Sequence, residues 1–422
     1  MKEFFVKFAT SSKAFLKKVF AALKIAAIKI GNVLISVLKW IYKAVKKFFG
    51  AIVSGIKKLF AKKPKKETEP QKLSFMLNDD DDFEMVSPKK KKLKPYSIIL
   101  IIIDICAVIC FCTVYGPYYG FRDWFVTTAL GTGKHKYLAN IFYSDEYIDK
   151  VMDVNTLISS GDLSDNSLIE FVDYSGVTVY ENIYEEQVLK KDEGNDDYKI
   201  FTIQEKGYFG YITVIYHPEN LDLYISKARY GELASDIVPK QKALIGVNGG
   251  MYYWDDIGVK YPNSNMIQNG KIYYNTGRKQ EMIGMSKDGV LMLMTATAKE
   301  AVDAGMYWGV YFRPFLIVNG EPTKFSGNGG YGYQPRTAIG QRKDGIVILL
   351  TIDGRGSNGS RGATMPELVE IFQKYGCINA ANLDGGGSTV LVEGSKIIND
   401  PCSYETGERL LLDAILLYPN GE

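Results

Sequence analysis

The most regular hydrophobic pattern of the chain lies near its beginning. Between residues 34 and 59, apolar side chains recur at steps of three and four, with lysines at many of the positions between them. Steps of this size place the apolar side chains on one face of a helix. The eight positions are Leu34, Leu38, Ile41, Val45, Phe48, Ile52, Ile56 and Leu59. The pattern predicts amphipathic basic helices over residues 1–63.

Residues 97–115 follow a different pattern, because they are apolar on every side. Asp104 is the only charge in this run. A helix of this length extends about 28 Å, which is enough to cross the hydrocarbon core of a bilayer. We predict a single transmembrane helix here, preceded by a charged linker over residues 64–96 that cannot form a core. A second span at residues 25–38 is an alternative, although it is short and contains Lys29.

Strand-like patterns begin near residue 177. Segments rich in β-branched and aromatic residues predict strands at 177–180, 208–216, 221–225 and 243–247. The apolar run 346–352 follows Asp344 and Gly345, which predicts a buried β-hairpin. Residues 116–173, between the span and the strands, are predicted to form a helical stalk with aromatic side chains near the membrane.

One short helix is predicted between the last strands. Thr364 and Glu367 have the spacing of a capping box, and Gly376 follows the helical pattern as a stop signal. Glu367 is thereby explained by a structural role, and it is kept as a secondary catalytic candidate. The patterns together predict an α+β fold, a mixed β-rich domain with a few helices, with a β-rich lead-in over residues 174–242 and a main domain over residues 243–419.

Charge divides the chain into two opposite parts. Residues 1–95 hold 23 lysines and 8 acidic residues, a net charge of +15, whereas the remainder holds 28 basic and 40 acidic residues, a net charge of −12. Lysines cluster before the predicted span, so the positive-inside rule places the N-terminus in the cytoplasm and the later domain outside the plasma membrane. The basic segment is expected to bind anionic lipid. Nucleic acid is the alternative, which the lack of arginine in that segment disfavours.

The stretch with the clearest chemical character is Asn382-Leu383-Asp384-Gly385-Gly386-Gly387-Ser388-Thr389. Three glycines let the backbone turn sharply and bring its N–H groups near a ligand. Two hydroxyls follow, and such a loop can hold an anion. For an isolated Asp-Gly pair, the simpler interpretation is a turn capped by the aspartate. Asp353 and Arg355, at the end of the predicted strand 346–352, add a second carboxylate and a cation.

These motifs, taken in order, resemble the phosphodiester glycosidase family, whose members include an enzyme that removes N-acetylglucosamine from a sugar-1-phosphodiester. The resemblance covers residues 243–418. It implies hydrolysis of the glycosidic bond of a sugar-1-phosphodiester in a surface polysaccharide or glycopolymer. The matching pieces are Asn248-Gly249-Gly250-Met251-Tyr252, Pro335-Arg336-Thr337-Ala338-Ile339-Gly340, Asp344-Gly345, Asp353-Gly354-Arg355, residues 364–368 and residues 382–389.

The resemblance and the residue chemistry together suggest roles for these side chains. Glycosidic bond cleavage uses paired carboxylates, and Asp384 with Asp353 is the leading pair. Arg336 is expected to grip the phosphate in a bidentate contact, and Asn248 to orient substrate hydroxyls. The other predicted binding residues are Gly249, Thr337, Arg355, Gly385, Gly386, Gly387, Ser388 and Thr389.

This chemistry requires no cofactor, although a calcium ion near Asp353 or Asp384 is left open. The two histidines have no neighbours at zinc-ligand spacing, which disfavours a two-metal phosphodiesterase. Only Cys377 and Cys402 lie outside the predicted span, too few for a disulfide framework. A P-loop kinase is excluded because no lysine follows the three glycines. A non-catalytic exopolysaccharide-binding or envelope-assembly module is the alternative function.

Overall fold

The computed structural model describes residues 95–116, 118–132, 135–174, 176–403 and 407–420, with side chains from residue 100 onward. The predicted basic helices of residues 1–63, and the linker up to residue 94, lie outside the described residues.

Four helices open the described part of the chain. They are Pro95–Tyr115, Tyr119–Leu130, Tyr137–Phe142 and Asp145–Val154. The first coincides closely with the predicted span, and most of its large apolar side chains are exposed. Among the described residues, no single helix is both long and apolar enough to cross a bilayer. The helices Leu100–Tyr115 and Tyr119–Leu130, which are bent by 76° relative to each other, reach that length and apolarity only when they are taken together. The spanning helix therefore stays a prediction.

The segment predicted as a helical stalk, residues 116–173, is helical only as far as Val154. Its short helices pack around a small apolar cluster that includes Val126 and Val151. From Leu157 the chain is extended, because β1 (Leu157–Ser159) pairs with β15 (Lys324–Phe325). The second part of the predicted stalk thus lies against the β-rich domain.

The largest sheet has seven strands, and all its neighbours are antiparallel. In spatial order they are β14 (Glu321–Pro322), β13 (Phe315–Val318), β18 (Cys377–Asn382), β16 (Arg336–Arg342), β17 (Val347–Ile352), β3 (Tyr208–Ile215) and β2 (Tyr198–Glu205). The pair β16 and β17 is the hairpin that the sequence predicted, with Gly345 at a positive φ of 90° in its turn.

Two five-stranded antiparallel sheets complete the main framework. One contains β11 (Leu291–Ala296), β10 (Gln280–Ser286), β12 (Met306–Tyr311), β8 (Met266–Gln268) and β9 (Lys271–Tyr274). The other contains β20 (Lys396–Ile397), β19 (Leu391–Glu393), β5 (Ile245–Asn248), β21 (Asp413–Leu417) and β4 (Leu221–Ile225). A separate hairpin pairs β6 (Tyr252–Trp254) with β7 (Lys260–Pro262).

A shared apolar core joins the three large sheets. Leu349, Trp308 and Ile415 come from one sheet each, and all three belong to the same buried cluster. Burying a large apolar side chain contributes about 1.5–3 kcal/mol, so this cluster fixes the sheets relative to each other. The β-rich domain with a few helices, predicted from the sequence, is confirmed.

Four further helices lie among the strands: Ile183–Leu189, Ala234–Lys240, Ala298–Asp303 and Met365–Lys374. The last one is the predicted helix. Thr364 and Glu367 make both hydrogen bonds of its capping box, and Gly376 follows its end with a φ of 76°.

The strand predictions have a mixed outcome. The strand at 221–225 is β4, the strand at 208–216 is β3, and the strand at 243–247 is β5 with a later start. The predicted strand at 177–180 is wrong, because these residues pair with no strand in the described chain and Val179 is 85% exposed. The edge strand β2 was not predicted, because polar residues interrupt its apolar pattern.

Candidate active site

Two of the large sheets meet at Asn248, the last residue of β5. Its Nδ2 donates to the Asp384 carbonyl oxygen at 2.6 Å. Its Oδ1 accepts hydrogen bonds from Thr337 Oγ1 at 2.6 Å and from the Val390 N–H at 3.2 Å. Asn248 is only 1% exposed. This side chain therefore ties the loop after β18 to the neighbouring sheet.

That loop, residues 384–389, turns tightly over Pro335. The Gly386 N–H donates to the Pro335 carbonyl oxygen at 2.8 Å, and Gly386 has a φ of 62°. A Cβ on Gly385 would lie 2.8 Å from the same oxygen. A Cβ on Gly387 would lie 2.4 Å from Arg409 Nη2. The first two glycines thus permit the turn, and the third permits a guanidinium to approach the backbone.

Two arginines lie over this glycine loop. Arg409 Nη1 donates to Ser388 Oγ at 3.1 Å, and its guanidinium lies 5.6 Å from the centre of the Trp254 ring. Arg355 comes from the loop after β17, with its Nη2 3.0 Å from the position that a Gly386 Cβ would occupy. Gln334 Oε1 accepts from Arg355 Nη2 at 2.9 Å. Two cations therefore face one short stretch of backbone.

Asp384 is the carboxylate of this loop and is half-buried. Its Oδ1 accepts a hydrogen bond from the Gly385 N–H at 2.9 Å. Burial raises the pKa of Asp384, and the opposing influences are a hydrogen bond from Ser388, the charge of Arg409 and the Gly385 N–H. A carboxylate, two guanidinium groups and a glycine turn therefore share one location.

Comparison with known proteins agrees with the family suggested by the motifs. Residues 241–418 match the sequence model of the phosphodiester glycosidase family. This part of the chain is similar to that family. The resemblance predicted from the motifs is confirmed for this part of the chain.

Several characterised and uncharacterised proteins are similar to parts of this domain. The N-acetylglucosamine-1-phosphodiester alpha-N-acetylglucosaminidase of Mus musculus is 24% identical over 158 residues, 33% of this chain and 30% of the relative. The Homo sapiens enzyme of the same name is 26% identical over 145 residues, 30% of this chain and 28% of the relative. An uncharacterised SPbeta prophage-derived protein of Bacillus subtilis, YomE, is 42% identical over 89 residues, 21% of this chain and 13% of the relative. The chain thus spans less than a third of each.

Among solved structures, the zebrafish N-acetylglucosamine-1-phosphodiester alpha-N-acetylglucosaminidase catalytic domain, auto-inhibited by its pro-peptide, is similar at 22% identity with a TM-score of 0.44. The similarity covers 54% of this chain and 86% of the zebrafish chain.

Within residues 241–418, Asp353, the predicted partner of Asp384, is held by hydrogen bonds to neighbouring loops. Its Oδ1 accepts from Asn399 Nδ2 at 3.0 Å and from the Asp400 N–H at 3.1 Å, and its Oδ2 accepts from Asn358 Nδ2 at 2.8 Å. Asp353 is 1% exposed. Burial raises its pKa, and the hydrogen bonds from Asn358 and Asn399 oppose that shift. Its carboxylate anchors two loops, and its catalytic role stays a prediction.

Arg336, the predicted phosphate clamp, binds backbone carbonyls in the structure, and its role as a clamp stays a prediction. Its Nε donates to the Ala363 carbonyl at 2.9 Å, and its Nη2 donates to the carbonyls of Tyr331 at 3.0 Å and Gly332 at 2.8 Å. Burial lowers the pKa of Arg336 to about 9. The Arg336 guanidinium holds three backbone carbonyls together. The guanidinium groups that lie near the glycine loop are those of Arg355 and Arg409.

Three other predicted site residues have structural contacts. Glu367 uses Oε2 in the capping box and Oε1 in an ion pair with Arg361. These contacts fit the structural role expected for it, and its secondary catalytic candidacy stays a prediction. Asn248 and Thr337 bond to each other in the link between sheets. Their polar groups are therefore engaged within the protein, and their predicted binding of substrate hydroxyls stays a prediction.

The two hydroxyls of the glycine loop differ in their contacts. Ser388 Oγ lies 3.5 Å from the Tyr252 hydroxyl and receives the hydrogen bond from Arg409. Thr389 Oγ1 is buried and has no hydrogen-bond partner among the described residues. Within the same residues, no three His, Cys, Asp or Glu side chains form a group that could hold a metal ion. The calcium site stays a prediction.

The sequence analysis missed Arg409, Tyr252 as a site residue, and Asp413. Asp413 is 2% exposed and begins β21. Its Oδ1 accepts from the Gly250 N–H at 2.7 Å. A signal for it was present, since Asp413 is the only charged residue in the apolar stretch from Leu410 to Tyr418. A lone carboxylate in such a stretch requires a specific environment.

Proposed function

We propose that the phosphodiester glycosidase-like domain of residues 241–418 hydrolyses the sugar C1–O bond of a sugar-1-phosphodiester. The proposal rests mainly on one observation: the Asp384 carboxylate lies beside a glycine loop that Arg355 and Arg409 approach closely. Such a substrate develops positive charge at its sugar ring and carries negative charge on its phosphate. Asp384 can stabilise the positive charge on the sugar ring, and Arg355 and Arg409 can bind the negatively charged phosphate.

Asp384 would act on the sugar. Glycosidase transition states resemble an oxocarbenium ion, which a nearby carboxylate stabilises as nucleophile or as electrostatic partner. Burial raises the pKa of Asp384, and the hydrogen bond from Ser388, the charge of Arg409 and the Gly385 N–H oppose that shift and support the ionised form. We assign to it this carboxylate role.

Arg355 and Arg409 would hold the phosphate. Guanidinium groups bind phosphate oxygens in bidentate contacts and keep their charge at all relevant pH values. Arg355 is exposed, so its donors can reach a ligand above the loop. A phosphate monoester is already a good leaving group, so the reaction needs less general acid assistance than cleavage of an ordinary glycoside.

The location of the substrate is the second part of the proposal. We infer a single-pass plasma membrane protein with a cytoplasmic basic segment, an extracellular domain and a surface glycopolymer as substrate. The support is the run of lysines before the helix Pro95–Tyr115 and the exposure of the apolar side chains on that helix. The mammalian relatives are named as enzymes of N-acetylglucosamine-1-phosphodiesters, which makes such sugars the first substrates to test.

The test uses the full chain in detergent with a panel of sugar-1-phosphodiesters. We expect release of a free sugar together with a phosphomonoester. Asp384→Asn keeps the side-chain volume but removes the charge, and it should lower turnover by at least ~10²-fold without unfolding the protein. Glu367→Gln is the matched control, because it keeps the capping box and should change turnover little.

Two results would contradict the proposed function. The first is an Asp384→Asn variant with full activity, since asparagine replaces a turn aspartate well. The second is binding of glycopolymer without turnover of any member of the panel, which would favour the exopolysaccharide-binding module.

A further inference from the structure

Asp413 is a buried carboxyl group that the proposed reaction does not yet use. It begins β21, which pairs with β4 on one side and β5 on the other. Its position in the middle of a sheet gives it no access to bulk water, and it is 2% exposed. An ionised carboxylate in such a place is costly unless it is paired and fully hydrogen-bonded.

The hydrogen bonds of Asp413 are incomplete. Its Oδ1 accepts one hydrogen bond, from the Gly250 N–H at 2.7 Å. Its Oδ2 is buried and has no hydrogen-bond partner among the described residues. An ionised carboxylate has about four acceptor positions to satisfy, whereas the protonated form has fewer and can also donate. The contacts of Asp413 therefore suit the neutral form.

Gly249 lies between Asp413 and Asp384. The Asp384 N–H donates to the Gly249 carbonyl oxygen at 3.1 Å. A Cβ on Gly249 would lie only 2.1 Å from Asp413 Oδ1. Gly249 thus contacts both acidic residues, Asp384 through its backbone N–H and Asp413 through its carboxylate oxygen.

The charged surroundings of the two carboxyl groups differ. Asp384 interacts with Ser388, Arg409 and the Gly385 N–H, all of which favour its ionised form. For Asp413, burial raises the pKa to about 7, the Gly250 N–H opposes that shift, and the charge of Asp384 adds to it. Tyr252 also faces both acids, and burial raises its pKa further from neutrality. Burial raises the pKa of both acids, but three groups oppose that shift at half-buried Asp384 and only the Gly250 N–H opposes it at Asp413. Of the two carboxyl groups, Asp384 is therefore the one with more support for its ionised form.

We propose that Asp413 is the partner carboxyl of Asp384, keeping its proton while Asp384 is ionised, so that the pair carries one negative charge. The inference deepens the function proposed above and rests on it for its catalytic meaning. Two like charges in one water-poor site cannot both ionise easily. Asp413 is then a positioning residue that acts through Asp384.

A consequence for catalysis follows from the net charge of the pair. When Asp413 loses its proton, the added negative charge repels the phosphate of the substrate. We therefore expect kcat/KM to fall as the pH rises through about 7. Asp413→Asn keeps an acceptor for the Gly250 N–H and is neutral at every pH. At pH 6 its kcat/KM should lie within a few fold of the wild-type value. As the pH rises through about 7, its kcat/KM should not fall as that of the wild type does.

A purely structural Asp413 predicts the same pH profile for the wild type and for Asp413→Asn. That result would overturn the inference. The comparison is meaningful because the variant replaces the carboxyl group by an amide of nearly the same size.

A second arm needs no substrate and measures thermal unfolding of the full chain from pH 5 to pH 9. A raised pKa in the folded state means that the contribution of Asp413 to stability is present at low pH and is lost as the pH rises through the folded pKa. The loss begins at the unfolded-state pKa of about 4 and is complete above the folded pKa of about 7. The Tm of Asp413→Asn should therefore gain on that of the wild type as the pH rises from 5 to about 7, and the difference should stay constant at pH 8 and 9. Asp384→Asn should show a smaller fall in Tm over this pH range than the wild type, because the negative charge of Asp384 no longer acts on Asp413.

The two arms separate the possible failures. Wild type and Asp413→Asn with parallel Tm curves would overturn the carboxyl pair. A normal unfolding result with no turnover of any sugar-1-phosphodiester would leave the carboxyl pair supported and contradict the proposed function instead. If Asp413→Asn does not fold, the wild type and Asp384→Asn still give the decisive comparison across the same pH range.

Discussion

Gly387 shows how one missing Cβ shapes the site. A side chain there would lie 2.4 Å from Arg409 Nη2. The atom it meets is the far end of a flexible side chain, so a methyl group would displace the guanidinium rather than the backbone. The glycine is therefore required by the position of Arg409, which in turn contacts Ser388.

We expect Gly387→Ala to weaken substrate binding without unfolding the protein. Loss of one charge-assisted hydrogen bond costs about 1.5–3 kcal/mol, which corresponds to a KM roughly 10- to 100-fold higher. Gly120→Ala is a suitable control, because a Cβ at Gly120 meets nothing within 4 Å. Steady-state kinetics and Tm of both variants check this. An unchanged KM for Gly387→Ala would show that Arg409 does not hold the phosphate.

At the same scale, the sequence predicted Asp384 and its glycines as a site but did not predict the structural contacts of Arg336 and Asp353. Residue type alone does not show that the donors of Arg336 are taken by three carbonyls, or that Asp353 anchors two loops. Both facts depend on loops that come together only in the fold. Asp413 carried a readable signal, since a lone acid within an apolar run is costly to bury.

At the scale of elements, Gln334 connects the helix Tyr119–Leu130 to the glycine loop. Its Nε2 donates to the Thr128 carbonyl oxygen at 3.2 Å. Its Oε1 accepts from Arg355 Nη2 at 2.9 Å. Gln334 is 3% exposed, so this contact between an N-terminal helix and a proposed phosphate-binding arginine is protected from water.

Two substitutions of Gln334 distinguish its contact with Arg355 from its contact with Thr128. Gln334→Ala should raise KM about 3- to 10-fold, because Arg355 loses a neutral hydrogen-bond acceptor worth about 0.5–1.5 kcal/mol. Gln334→Glu should keep a low KM, since it retains an acceptor for Arg355, but should lower Tm because the donor to Thr128 is lost. Kinetics and thermal unfolding of both variants provide the check. Equal KM values for the two variants would contradict the role of Gln334 in positioning Arg355.

Elements with local signals were predictable from the sequence. The β16–β17 hairpin and the helix Met365–Lys374 are encoded by apolar runs, an Asp-Gly turn and a capping box within a few residues of one another. β1 was missed because its partner β15 lies far along the chain. Its short extended segment has no periodic pattern of its own, so only the pairing defines it.

At the scale of the whole molecule, the opposite charges of the two parts suggest an orientation across a membrane. The lysine-rich part precedes the helix Pro95–Tyr115, and the phosphodiester glycosidase-like domain follows it. If the proposed topology is right, protease added to intact cells should digest the domain after Gly116 and spare the basic segment. Detection of both parts with segment-specific antibodies provides the measurement. Protection of the domain with digestion of the basic segment would reverse the orientation and remove access to a surface glycopolymer.

The central claim is that a site organised around Asp384 cleaves the sugar C1–O bond, and hydrolysis in ¹⁸O-labelled water tests it most directly. Attack at the sugar carbon leaves the phosphomonoester product unlabelled, because all its oxygens come from the substrate. Attack at phosphorus places one ¹⁸O in that product. Mass spectrometry of the phosphomonoester should show no label, and turnover by Asp384→Asn should be lower by at least ~10²-fold. A labelled phosphomonoester would contradict the account.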